Sequence, residues 1–204
     1  MTAFTYHTNT IEGSTLSLAE TDSIIFHNAL IKNKTLIEQQ EAKNHRPCID
    51  YMLRFASTQS PMTHEYIQKL HSILMNGIYD YAGTYRNHPV RIDHSHVPTS
   101  NHVSIHTYLD EWLIENGTHT PLSNLAKSHA NFEQIHPFPD GNGRVGRLLM
   151  CTQLLKQNIF PALVEKELKH AYYKHLQSAQ IEEVYAPLSA FLCEAILAGY
   201  ALIE

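Results

Sequence analysis

Between positions 136 and 147 the chain reads His-Pro-Phe-Pro-Asp-Gly-Asn-Gly-Arg-Val-Gly-Arg. Most of these residue types have a use in chemistry at a phosphate. His136 takes a proton near neutral pH. Asp140 is a lone carboxylate, and one carboxylate with phosphate oxygens is a common way to hold Mg²⁺. Gly141 and Gly143 permit positive φ and let a ligand approach the backbone. A turn here, followed by a helix start, makes an anion nest at the positive end of a helix dipole. Arg144 and Arg147 share one side of the first helical turn and add fixed positive charge. A base, a metal ligand, an anion nest and two arginines in one short stretch point to phosphoryl or nucleotidyl transfer. Singly, each has a bland reading: Gly-Asn-Gly is usually a turn, a His before Pro a loop residue, a helix arginine a solvent-facing one. It is their joint order that favours chemistry.

Holding such a stretch in place needs a frame, and the rest of the chain reads as helices. Ser17-Leu18-Ala19-Glu20 has the form of a capping box and starts a helix toward Leu30. A second helix is predicted from Leu36 to Ser57, with Pro47 marking a kink or restart. Thr63 caps a third, which buries Ile67, Leu70, Ile73 and Leu74 and ends near Gly77. Further helices are predicted over Asn101 to Asn116, Pro121 to Ile135, Asn142 to Asn158, Glu165 to Gln180 and Pro187 to Leu202. Tyr85, Val90, Ile92 and Val97 are β-formers among Pro, Asp, Asn and His, so residues 85–97 read as a short irregular hairpin. The expected fold class is all-α, one domain over 1–204 with a small β-hairpin.

Composition narrows the function classes. The 204 residues are 43% hydrophobic, which excludes wholesale disorder, and only 17% charged, with a formal net charge of -5. That balance argues against a nucleic-acid binder, which would carry a basic excess. No apolar run approaches about 18 residues, so no membrane span is expected. Met1 to Thr10 lacks the basic-then-apolar pattern of a secretory signal. Cys48, Cys151 and Cys193 are far apart and form no CxxC pair, which fits a reducing, cytoplasmic setting.

With every specified position of HPFx[D/E]GNGRxxR filled, residues 136–147 resemble the signature of the Fic family. The likeness extends to His129, Phe132 and Ile135, to Gly83-Thr84-Tyr85-Arg86 through Ile92, and to Tyr172-Tyr173 and the helix at Pro187-Leu188. It implies an all-α Fic fold and transfer of AMP from ATP to a Ser, Thr or Tyr hydroxyl of a target protein, with release of pyrophosphate. On that resemblance His136 is the general base, Phe138 a buried anchor, and Asp140 the ligand of Mg²⁺ or Mn²⁺. Gly141, Asn142 and Gly143 form the anion hole, Arg147 grips the γ-phosphate, and Arg144 supports the phosphates or the loop. Tyr172 and Tyr173 wall the adenosine pocket, unless one is core. The 85–97 hairpin, with His88, Val90 and Ile92, is a flap on which the protein substrate docks. Self-modification and a homo-oligomer are compatible with this reading. With only a few residues after the last helix, no appended DNA-binding domain is expected.

Thr8-Asn9-Thr10-Ile11-Glu12-Gly13 is similar to the [S/T]xxxE[G/N] inhibitory motif of the same family. If residues 1–16 are helical, Thr8 and Glu12 share a face. A carboxylate delivered to Arg147 would form a charge-assisted pair and displace the γ-phosphate; Thr8, Glu12 and Gly13 then form a brake. Three alternatives stay open. The same fold can remove AMP, it can transfer another nucleotide monophosphate, or it can serve as a non-catalytic docking module. Phosphate-transferring relatives carry lysine at the second motif glycine, and Gly143 stands here instead. His88, His94, His96, His102 and His106 are surface histidines of the flap or, alternatively, a zinc site.

Overall fold

The computed structural model describes residues 1–92 and 97–202. Among them the regular elements are all helical: α1 Thr2–Ile11, α2 Leu18–His27, α3 Leu36–Ser57, α4 His64–Leu74, α5 Ile105–Asn116, α6 Leu125–Ile135, α7 Asn142–Leu155, α8 Lys169–Ile181 and α9 Ala186–Tyr200, with short 3₁₀ turns before α5, α6 and α8. Local chemistry sets several boundaries. Ser17 with Glu20 and Thr35 with Glu38 both form complete capping boxes, and the Thr63 side chain accepts from Tyr66 N–H. Pro47 lies inside α3, which runs through it as one helix rather than restarting.

The central element is α7. Every residue from Arg144 to Leu154 is buried. Its apolar side chains feed two hydrophobic clusters. Val145, Leu148 and Leu149 pack with Phe132, Phe138 and the α3–α4 side chains, and Met150 and Leu154 with α8 and α9. Two of its buried polar groups pair with neighbouring helices: the Thr152 hydroxyl meets Tyr66 at 2.7 Å, and Gln153 donates to Ser128 at 2.8 Å. Helix α1 lies against this body, with Ile11 buried in the second cluster and Phe4 packed on the first.

The hairpin expected over 85–97 is not formed: no residue among those described is in a strand. The reason is where the carbonyls go. His88 O and Ser100 O both accept from the Arg86 guanidinium, and Val90 O accepts from the Thr99 hydroxyl. Side chains thus take the acceptors a ladder would need. Val90 still lies beside Thr99, though neither is in a strand. His88 is exposed there, and Val90 and Ile92 are half-buried. His94 and His96 lie outside the described residues.

Candidate active site

The loop between α6 and α7 is bracketed by two left-handed residues. His136 closes α6 at φ 51°, ψ 59°, and Gly141 opens α7 at φ 78°. The second requires glycine. The first is a rarer conformation for a side-chain-bearing residue. It is held by a clamp that motif reading does not reveal. Arg86, 3% exposed, donates to His136 O at 2.7 Å, Ile135 O at 3.4 Å, Ser100 O at 2.6 Å and His88 O at 3.0 Å. Its own N–H donates to Pro137 O at 2.9 Å. One guanidinium therefore satisfies carbonyls at the end of α6 and fastens the 86–100 loop to the motif.

The His136 ring has a defined polarity. Its Nδ1 lies 3.1 Å from Glu133 O, and a carbonyl can only accept, so Nδ1 carries the proton. In the neutral ring Nε2 is then the basic nitrogen. Burial lowers the His136 pKa, and Arg86 acts in the same direction, so the neutral form prevails at neutral pH.

The rest of the loop is pinned from inside. Asn142 closes it on itself: its side chain donates to Phe138 O at 2.9 Å and accepts from Phe138 N–H at 2.8 Å. Phe138 is fully buried, as an anchor should be, and stacks on His71 with centroids 3.8 Å apart and planes at 2°. His71 accepts from Gly83 N–H at Nδ1, 2.8 Å, so its Nε2 donates to Asp140 O, 3.1 Å. A neutral ring alone can do both, and burial pushes this ring down to about 4. The sign of His71 in the sequence is a polar residue four after Ile67 on a core-facing stripe.

Gly141 N–H donates to the Asp140 carboxylate at 2.6 Å. That amide is therefore engaged, and no side chain caps α7. The first-turn amides of Asn142, Gly143 and Arg144 have no intrahelical partner by construction, which leaves donors of the kind that an anion can take at a helix N-terminus. Arg144 is drawn away from it: Nη1 donates to Glu41 of α3 at 2.6 Å, while Nη2 lies 3.7 Å from Asp140. Arg144 thus supports the loop.

Arg147 faces the nest and is held by α1. Its Nε donates to the Thr8 hydroxyl at 2.7 Å, and its Nη2 to Thr8 O at 3.2 Å and to Glu12 Oε1 at 2.5 Å. Glu12 also crosses to the motif itself: a Cβ on Gly143 would fall 2.5 Å from Glu12 Oε1 and 3.2 Å from Arg147 Nη1. Burial alone would raise the Glu12 carboxyl, but Arg147 and Arg144 outweigh it and hold it below the ordinary value. Gly13, at φ 104°, ends α1 directly after Glu12. A second carboxyl, Glu133, lies close to Arg147, but burial raises it to about 8 and keeps it protonated. Glu12 is thus the charged partner. Arg147 Nη1 is buried without a hydrogen-bond partner among the described residues, an open donor beside the nest.

The two tyrosines separate. Tyr172 is fully buried, its hydroxyl 2.6 Å from His129 Nε2, and belongs to the core. Tyr173 is 37% exposed, so a ligand can reach it. Among the described residues no group of three or more His, Cys, Asp or Glu is placed to hold a metal. His106 instead packs against His64 and Tyr85.

Residues 61–154 match the Fic/DOC family. An Aedes aegypti protein named protein adenylyltransferase Fic is 28% identical over 194 residues, covering 93% of this chain and 39% of its own length. A Fic domain containing signaling protein from Bacteroides thetaiotaomicron has a TM-score of 0.87 at 22% identity, over 98% of this chain and 84% of that one. Fic-1 from C. elegans has a TM-score of 0.81 at 26% identity, over 97% of this chain and 60% of that one. The chain thus resembles the Fic/DOC family in its motif segment and in its fold. It spans about two fifths of the length of the curated relatives it matches. No helix among the described residues is long and apolar enough to cross a membrane.

Proposed function

We propose that this chain is a protein adenylyltransferase at rest, braked by its own first helix. The observation that carries the reading is the latch of Thr8 and Glu12 on Arg147, set beside the His136 ring whose Nε2 is the basic nitrogen. ATP enters with its phosphates toward the first-turn amides of α7, and its γ-phosphate takes the place of the Glu12 carboxylate on Arg147. A target hydroxyl gives its proton to His136 Nε2 as its oxygen bonds to the α-phosphorus. The bond from that phosphorus to the bridging oxygen breaks, and pyrophosphate leaves. The target carries AMP.

Asp140 is 45% exposed at the nest, one oxygen held by Gly141 N–H. A lone hard carboxylate beside phosphate oxygens suits Mg²⁺ or Mn²⁺, which would neutralise phosphate charge when bound. The substrate is a protein presenting an extended hydroxyl-bearing segment along the 86–92 loop. The names of the relatives support this reading.

The test is incubation of the Glu12→Gly protein with ATP labelled at the α- or the γ-phosphorus, in a cell lysate. Label from the α-position should enter protein and label from the γ-position should not. Protein labelled only from the γ-position would replace AMP transfer with phosphate transfer, and no labelling from either would reject the enzyme.

A further inference from the structure

Behind α1, on the body it docks against, there is a half-open cavity of about 230 Å³. That exceeds the cavity of about 150 Å³ that holds benzene in another protein. One wall is α1 itself, through Met1, Phe4 and Thr8; the others include Met52 of α3 and Cys151 of α7. The lining is mainly apolar; its polar members are Thr8, Arg147 and His45. His45 is 3% exposed and lines the cavity. Its Nδ1 is engaged by the Thr5 hydroxyl at 2.9 Å, and no hydrogen bond is seen at its Nε2 among the described residues. The cavity also reaches the latch, because Thr8 and Arg147 both line it.

We propose that this cavity binds a small, mainly apolar molecule with a single hydroxyl head directed at His45 Nε2, and that its occupancy tightens the latch. A hydroxyl both donates and accepts, so it fits either tautomer of a ring whose other nitrogen faces a hydroxyl. Burial, reinforced by Arg144 and Arg147, pushes His45 down to about 3, so the head meets a neutral ring rather than a cation. The coupling follows from the walls. A ligand touching both α1 and the body binds the docked state better than the released one, and must shift the equilibrium toward docking. At ten times its Kd, a ligand specific for the docked state raises the docked-to-released ratio about elevenfold. The binding half stands apart from the proposed enzyme; the effect on transfer rests on that reading.

The test uses 4-ethylphenol as probe and ethylbenzene as its headless counterpart, with calorimetry for binding. Wild type should bind 4-ethylphenol saturably at one site and ethylbenzene more weakly. Leu53, at the cavity wall and 43% exposed, can be enlarged without entering the core. Leu53→Trp should weaken binding of both probes at least about tenfold, and His45→Phe should erase the difference between them. No saturable binding to wild type, or binding indifferent to both substitutions, overturns the site. Coupling has two readouts. Amide exchange across Thr5 to Ile11 should slow by up to about elevenfold at ten times Kd, and wild-type AMP transfer should fall by the same factor. In the Glu12→Gly protein, which has no carboxylate to place on Arg147, the probe should leave transfer unchanged. Binding with no change in α1 exchange overturns the coupling. Slowed exchange in a protein that transfers nothing under any condition keeps the site and rejects the enzyme instead.

Discussion

The Glu12–Arg147 pair can be given a size. Glu12 reaches one guanidinium nitrogen at 2.5 Å, with the two side chains 28% and 7% exposed, so the contact is a charge-assisted hydrogen bond in a partly dry site. Such bonds contribute ~1.5–3 kcal/mol net. If ATP is held productively only when Arg147 is free of Glu12, the free fraction in wild type is about one in ten to one in 150. Glu12→Gly should therefore raise initial rates of AMP incorporation by about ten- to 150-fold. Glu12→Gln, which keeps shape but loses charge, should fall between the two. The substitution sits at the end of α1, at φ -83°, beside a glycine, so helix propensity is little affected. Removing the carboxylate leaves the buried Arg147 guanidinium without its anion, so the urea midpoint should fall, and rates are compared where both proteins are folded. The assay is a time course with α-labelled ATP on wild type, Glu12→Gly, Glu12→Gln and Arg147→Ala. Arg147→Ala must not activate, because it loses the phosphate contact along with the latch. Equal rates for wild type and Glu12→Gly, with both folded and His136-dependent, would refute the reasoning.

Four further outcomes follow from the same contacts. In the Glu12→Gly background, kcat/KM should rise with pH to a plateau whose midpoint lies below the ordinary histidine value, because burial lowers His136; His136→Ala should remove that limb and about 10²–10⁴-fold of the rate. Asp140→Ala, or excess chelator with the unsubstituted loop, should abolish incorporation while leaving the melting curve in place. Arg86→Lys keeps the charge but cannot fork to four carbonyls, so the unfolding free energy from urea titration should drop by ~2–4 kcal/mol and transfer should fall with it. His71 sits near 4 when folded against about 6.5 unfolded, so its contribution is complete above about pH 6.5 and is lost as pH falls toward 4, worth ~3 kcal/mol; denaturation midpoints measured across that window should flatten in His71→Phe.

What could be read from the chain was what is written locally. Leu36–Ser57 is bounded as expected because Thr35 and Glu38 close its first turn on each other. The motif is legible because its base, carboxylate, glycines and arginines are consecutive. The flap was misread for the opposite reason: Val90 and Ile92 have strand propensity, but Arg86 and Thr99 claim the carbonyls that a partner strand would need. His71 and Glu41 could not be assigned as supports of the loop, since each lies on another helix and nothing local marks its partner. Tyr172 and Tyr173 are adjacent, hence about 100° apart around α8, and sequence does not say which faces in.

The latch owes its logic to the burial of Arg147. A guanidinium at 6% exposure within a helix buried from Arg144 to Leu154 cannot be left without an anion. Glu133 does not meet the need, because its own burial keeps it protonated. The charge must come from outside the α6–α7 hairpin, and α1 is the element that delivers it, from a residue 135 positions away. A nucleotide phosphate is the same kind of partner, acceptor-only and negative, so on the proposed reading the two compete for one donor set rather than acting through a relay. Gly143 enforces that competition: the space its missing Cβ leaves is filled by Glu12 Oε1. A side chain at 143 would press on the latch and on the anion nest together, so one small residue serves the resting state and the proposed working state alike.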